Sequence, residues 1–217
     1  MPETEAALER TPMRTVAAAL AAVIVVAGGL GAAYSQARPG EALDWTGVRR
    51  LRVGLDQEWG LAAFTSGAIL AAGAYAGWLL VRRLRSLERP WTGVALLAGM
   101  LAFMAVDETT EMHENLQEVF DITWLLLYSP LMLVAAVGWL LTVRTLCKDR
   151  PAVVMLVAGA ACWAVAQLFE HLQRANHMLV HRWMILPEEV LEMCGSGLFF
   201  LALLHGAQWL RADPRAS

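Results

Sequence analysis

Six apolar stretches, each close to the length of a bilayer-spanning helix, constrain the fold of this chain more than any other feature. A transmembrane helix needs about 20 mostly apolar residues, and the predicted spans cover residues 15–34, 59–81, 91–117, 122–143, 151–172 and 188–210. The third is apolar over residues 91–106, and its helix is expected to continue to about residue 117. Apolar residues make up 58% of the 217 residues and charged residues 17%, which excludes an ordinary soluble domain. We therefore expect an all-α polytopic membrane helical bundle that forms one integral membrane domain over residues 1–217.

The first span has two interpretations. It follows Arg10 and Arg14, and the sequence YSQA at its end is typical of a signal-peptide cleavage site. Its apolar stretch is longer than the usual hydrophobic region of a signal peptide, which favours a retained helix. Cleavage would leave the orientation of the other five spans unchanged.

The distribution of Lys and Arg predicts the orientation of the bundle. When the connecting segments are assigned to alternate sides, eleven Lys and Arg residues fall on the side of both termini and six on the other side. Positive charge accumulates on the cytoplasmic side, so both termini are expected to be cytoplasmic in a bacterial cytoplasmic (inner) membrane. Residues 35–58 then form the one sizeable outer loop, either as a short interfacial helix or as an irregular segment.

Acidic residues concentrate on the predicted outer side. Fourteen of the twenty Asp and Glu residues lie there or in the outer halves of the spans. Three segments carry most of them, at the outer ends of the third, fifth and sixth spans: VDETTEMHENLQEVFD, QLFEHLQRANHMLVH and PEEVLEMCGSG. Because the topology brings all three to one membrane depth, we expect them to meet in a single polar site.

Seven residues of these segments are the candidate site. They lie within or at the edge of apolar spans, where ionisable groups are costly and usually functional. Clustered carboxylates repel one another unless a cation, a proton or an arginine neutralises them. Carboxylates with an imidazole suit a divalent or transition metal ion, and iron, zinc and manganese remain equally possible. The predicted metal site contains Asp107, Glu108, Glu111, Glu170, His171, Glu189 and Glu192.

Simpler interpretations exist for individual residues. Glu188 directly follows Pro187, a position at a helix start where a carboxylate favours the helix dipole. Glu170 and Arg174 are four residues apart and can form an ion pair on one helix. The sequence also contains no H-E-x-x-H motif and no G-x-S-x-G motif, so it gives no sign of a zinc-protease helix or a nucleophile elbow.

The acidic motifs resemble those of a group of uncharacterised bacterial multi-pass membrane proteins. The group carries DE closing an apolar helix, then HE, then EE and a further E opening the last helix. The resemblance extends from the third span to the C-terminus and implies a six-helix architecture without an established activity. The matching residues are Asp107, Glu108, His113, Glu114, Glu189 and Glu192.

Three functions fit these observations. The first is a metal-binding membrane protein, and if it is an enzyme it is expected to act on a lipid or another apolar substrate that enters from the bilayer. The second is a proton- or cation-coupled transporter. The third is a subunit or assembly factor of a larger membrane complex. Membrane lipids are the expected partners and nucleic acid is not, while the reaction and the oligomeric state stay open.

The predicted topology can be tested with reporter fusions. A reporter placed after Arg85 or Arg150 is expected to be cytoplasmic, because these residues lie on the side rich in positive charge. A reporter at Asn115 or His177 is expected to be periplasmic. A cytoplasmic reporter at Asn115 would contradict the convergence of the acidic segments at one membrane face.

Overall fold

The described residues form six α-helices and no strand. The computed structural model describes residues 12–37, 61–110, 112, 116, 119–120, 124–175 and 181–212. All six helices are long and apolar enough to cross a membrane, where a helix is stable because it satisfies its own backbone hydrogen bonds. This confirms the all-α, multi-pass architecture. The helices are α1 (Met13–Ala37), α2 (Leu61–Ser86), α3 (Thr92–Thr110), α4 (Trp124–Thr145), α5 (Arg150–Ala175) and α6 (His181–Ala212).

The helices differ from the predicted spans mainly at their ends. Helix α6 begins at His181 rather than near residue 188, so Pro187 lies inside the helix instead of at its first turn. Its 32 residues extend for about 48 Å, well beyond the hydrocarbon thickness of about 30 Å. Helix α1 continues to Ala37. Most of the predicted outer loop, and the end of the third span after residue 110 apart from residues 112 and 116, lie outside the described residues.

Helices α2 and α6 form the centre of the bundle. Helix α6 packs against α5, α2 and α1, while α2 also packs against α3 and α1, and α4 joins the bundle through α3. The two central helices run parallel, since Gly73 lies beside Phe200 and Gly77 beside Leu203. We call the end of the bundle that carries Glu108 and Glu192 the acidic end, and the opposite end, where α2 ends and α5 begins, the basic end.

The core of the bundle is apolar along the two central helices. Leu70 and Leu80 of α2 and Leu203 and Leu204 of α6 are completely buried and belong to one continuous hydrophobic cluster. The cluster reaches from the middle of the bundle to the basic end. It separates the acidic end from the polar groups at the other end.

Cation–π contacts mark the basic end. The Arg82 guanidinium lies 4.7 Å from the centre of the Trp78 ring, and the Arg85 guanidinium lies 3.7 Å from that of Trp91. Such pairs are worth about 0.5–1 kcal/mol at exposed sites. Trp and Arg side chains of this kind have an apolar body and a polar tip, which suits the boundary between lipid and water.

Helices α3 and α4 approach closely at Gly93, and this contact generates a stability prediction. A Cβ at Gly93 would meet the Cβ of Leu141, and it would lie 2.9 Å from the backbone carbon of the same residue. Backbone atoms cannot give way as a side chain does, so Gly93→Ala is expected to lower the free energy of unfolding by about 1–3 kcal/mol. Thermal unfolding of the purified protein measures the change.

The matched control lies in the same helix. A Cβ at Gly99 meets nothing within 4 Å, so Gly99→Ala is expected to be neutral or to stabilise the helix by up to about 1 kcal/mol. Equal effects of the two substitutions would contradict the close approach of α3 and α4.

Candidate functional site

Five carboxylates from three helices lie together at the acidic end. The charges of Glu189 and Glu192 interact with each other and with that of Glu108, and both also interact with Glu188. Glu192 interacts in addition with Glu170 of α5. All five side chains are half-buried, and their helices lie within the membrane-spanning segments. We call these five residues the carboxylate cluster.

A close approach of α5 and α6 sets the position of the cluster. A Cβ at Gly159 would lie 3.0 Å from the carbonyl oxygen of Gly195, and the reverse distance is also 3.0 Å. Glycine at both positions therefore allows the two backbones to touch, as small residues do between membrane helices. Two turns further along α5, the Gln167 amide lies 3.5 Å from Oε1 of Glu192 and donates a long hydrogen bond to it.

Electrostatic repulsion dominates around Glu189 and Glu192 of α6. Among the described residues, every charged neighbour of Glu189 and Glu192 is another carboxylate. Ionised carboxylates at this spacing destabilise one another, most strongly where water is scarce. A cation, bound protons or an arginine side chain can balance this charge.

Two buried hydroxyls lie beside the cluster. Ser66 and Ser196 are each 1% exposed, and neither hydroxyl has a hydrogen-bond partner among the described residues. Ser196 is four residues after Glu192, on the same face of α6. Ser66 precedes Gly67, which lies against Glu108. Nε of Arg83 at the basic end and Nε1 of Trp163 are also buried without a partner among the described residues. Such groups are rare, and the two hydroxyls are free to donate to or accept from a ligand at the acidic end.

Asp107 does not face the cluster. It is 9% exposed, and its Oδ1 accepts a hydrogen bond of 2.8 Å from the hydroxyl of Tyr128 in α4. Consecutive residues point about 100° apart around a helix, so Asp107 faces α4 while Glu108 faces α6. Tyr128 was not among the predicted site residues, although a tyrosine within a largely apolar span was the available signal.

The seven predicted site residues thus divide into groups. Glu108, Glu170, Glu189 and Glu192 belong to the cluster, and Glu111 lies outside the described residues. The His171 side chain is exposed. Among the described residues, no three His, Cys, Asp or Glu side chains converge closely enough to hold a metal ion directly, so the metal site stays a prediction.

A second polar pair lies at the basic end and was not predicted. Asp149 is 2% exposed, and its Oδ2 lies 3.0 Å from Nδ1 of His205 in α6. Its Oδ1 accepts a hydrogen bond of 3.3 Å from the backbone N–H of Ala152, so Asp149 caps the start of α5. The pair ties the turn between α4 and α5 to the end of α6. An aspartate directly before a helix start was the sequence signal for the cap.

Comparison with known proteins gives a family but no activity. The model of a family described as "Domain of unknown function (DUF8692)" matches residues 15–207, from the first span to near the end of the last. No curated protein and no solved structure matches the chain.

The hydrogen bond between Tyr128 and Asp107 generates a prediction. Tyr128→Phe removes the donor and keeps the ring, so it is expected to lower the free energy of unfolding by about 1 kcal/mol, the typical net value of one hydrogen bond. Tyr75→Phe is the matched control, because the Tyr75 side chain is exposed and its interaction among the described residues is a ring contact with Trp78. If thermal unfolding of the two variants shows equal shifts, the bond does not hold α3 to α4.

Proposed function

We propose that this chain, which belongs to the family described as "Domain of unknown function (DUF8692)", binds a divalent metal ion at the carboxylate cluster. The observation that carries the proposal is the set of charges around Glu189 and Glu192, all of them carboxylates among the described residues. A bound cation converts this repulsion into attraction. The unpartnered hydroxyls of Ser66 and Ser196 support a ligand at the same place.

The donor atoms favour a hard ion. The cluster offers carboxylate oxygens, and Gln167 and the two serines add further oxygen donors. Carboxylates and water suit magnesium, calcium and manganese, whereas imidazole suits zinc and iron. Because His171 is exposed, manganese fits the carboxylate cluster better than iron or zinc does. An ion that keeps part of its water shell, as Mg²⁺ does, also suits carboxylates that do not converge on one point.

A metal at this site would support a membrane enzyme. A bound divalent ion polarises a substrate oxygen or makes a bound water a stronger nucleophile. The cluster lies at the end of the spanning helices, where the reacting group of a lipid or another amphiphile is found. We propose that such a molecule is the substrate and that it enters from the bilayer.

The core favours a one-sided site over a transport path. Glu192 and His205 are separated along α6 by about 20 Å. The described residues between them include Leu203 and Leu204, which are completely buried and pack against Leu70 and Leu80 of α2 within the same apolar cluster. Ions and protons need polar groups along their route, and these four leucines offer none.

Metal content tests the proposal. The wild-type protein, purified without chelator and dialysed against Mn²⁺, is expected to retain about one ion per chain by elemental analysis, as one site requires. Glu189→Gln and Glu192→Gln are expected to lose most of this metal, because each removes a charge from the centre of the cluster. Glu88→Gln makes the same chemical change in the turn between α2 and α3, at the basic end, and is expected to keep the metal.

Thermal unfolding supplies a second measurement on the same proteins. In metal-free protein, Glu192→Gln is expected to raise the melting temperature, because it relieves repulsion between carboxylates. In wild type, added Mn²⁺ is expected to raise it by binding the folded state. Folded wild-type protein that binds no divalent ion, or a Glu192→Gln variant that binds as well as wild type, would contradict the proposal.

A further inference from the structure

An open groove runs along the side of the bundle between α1 and α2. It has a volume of about 350 Å³, within the range of about 300–1,000 Å³ for sites that hold small molecules. Phe200 of α6, only 8% exposed, forms part of its floor. The groove is lined by residues that include Leu20, Val23, Phe64, Thr65, Ala68 and Phe200.

The groove opens into the bilayer. Its walls belong to the membrane-spanning segments Met13–Leu30, Ala63–Ser86 and Leu186–Arg211. Thr65 is the one polar residue among the described residues that line it. Water gains no hydrogen bonds in such a groove, so apolar groups from the membrane are the molecules that fill it favourably.

The dimensions of the groove suit one hydrocarbon chain. The groove extends along α2 from Phe64 to Ala72, a distance of about 12 Å. A flexible acyl chain is about as thick as one of the side chains that it would meet, so it can lie between α1 and α2 over this length. A helix about 10 Å wide could only pack across the open side of the groove.

The position of the groove along α2 gives the direction in which an acyl chain would lie. Phe64 and Thr65 lie in the first turns of α2, and Gly67, a few residues further on, lies against Glu108 and Thr109. The mouth of the groove is thus at the acidic end, level with the carboxylate cluster. Phe200 and Ala72 line its deeper end, near the middle of the bundle.

We infer that this groove binds one acyl chain of a lipid from the leaflet at the acidic end. The headgroup lies near Phe64 and Thr65, and the chain passes over Ala68 to Phe200. The small side chains of Ala68 and Ala72 create the space, while Val23 and Phe64, each about half exposed, form its sides. This site is independent of metal binding at the carboxylate cluster.

Photo-crosslinking tests the inference. The full-length protein is placed in nanodiscs of phosphatidylethanolamine and phosphatidylglycerol with a phosphatidylethanolamine that carries a diazirine in the middle of its acyl chain. Crosslinks are mapped by peptide mass spectrometry. They are expected to concentrate at Leu20, Val23 and Ala72 relative to Leu133 and Leu140, which are exposed on α4 but outside the groove.

Two leucine variants separate a specific site from general lipid contact. Ala68→Leu fills the groove, and crosslinking within it is expected to fall to the level at Leu133 and Leu140, because the added side chain removes the packing contacts that favour the groove over bulk lipid. Ala71→Leu is the matched control, since Ala71 is exposed on the same helix and does not line the groove. Both additions lie on exposed positions, so both proteins are expected to fold, which melting curves verify.

Three outcomes would overturn the inference. The first is labelling that is equal over all lipid-facing helices. The second is labelling of the groove that Ala68→Leu leaves unchanged. The third is a dimer, detected by light scattering, that Ala68→Leu dissociates, because a second copy would then cover the groove.

Discussion

The contact between α5 and α6 is the interaction on which the candidate site depends. Gly159 and Gly195 let the two backbones touch, and between membrane helices such close packing replaces the hydrophobic driving force that lipid removes. The contact sets the register of the two helices, so Gln167 and Glu170 arrive beside Glu192. Larger side chains at these glycines would separate the helices and spread the carboxylates.

The two ends of the bundle use polar groups in different ways. At the basic end, Asp149 has two partners, the backbone N–H of Ala152 and His205, so its burial stabilises the turn between α4 and α5. At the acidic end, Glu189 and Glu192 meet mainly like charges. A buried carboxylate with hydrogen-bond partners usually has a structural role, whereas mutually repelling carboxylates are stabilised when positive charge binds beside them. This contrast is why we propose metal binding at the acidic end and not at the basic end.

The apolar groove and the carboxylate cluster have no residue in common among the described residues. Ile69 lines the groove and belongs to one hydrophobic cluster with Met193, which is completely buried. The lipid that we propose for the groove would contact apolar side chains, whereas the cation that we propose for the cluster would contact carboxylates.

The sequence by itself determined the six helices, their order and the accumulation of acids at one end. Runs of about 20 apolar residues leave few alternatives, because only helices and closed barrels satisfy the backbone in lipid. Depth along each helix also follows from the sequence, since the rise per residue is constant. That is why Glu108, Glu170, Glu189 and Glu192 could be placed at a common level before any contact was known.

The tertiary structure decided which side chains at that level face one another. The rotation of a helix about its axis depends on how neighbouring side chains and glycines pack, and no local pattern in an almost uniformly apolar helix specifies it. Asp107 therefore faces Tyr128 instead of Glu192, and Asp149 contacts His205, which is more than fifty residues away along the chain. The depth of a residue in the membrane follows from its own helix. Which side chains face one another depends on how two helices pack, and only the folded bundle defines that packing.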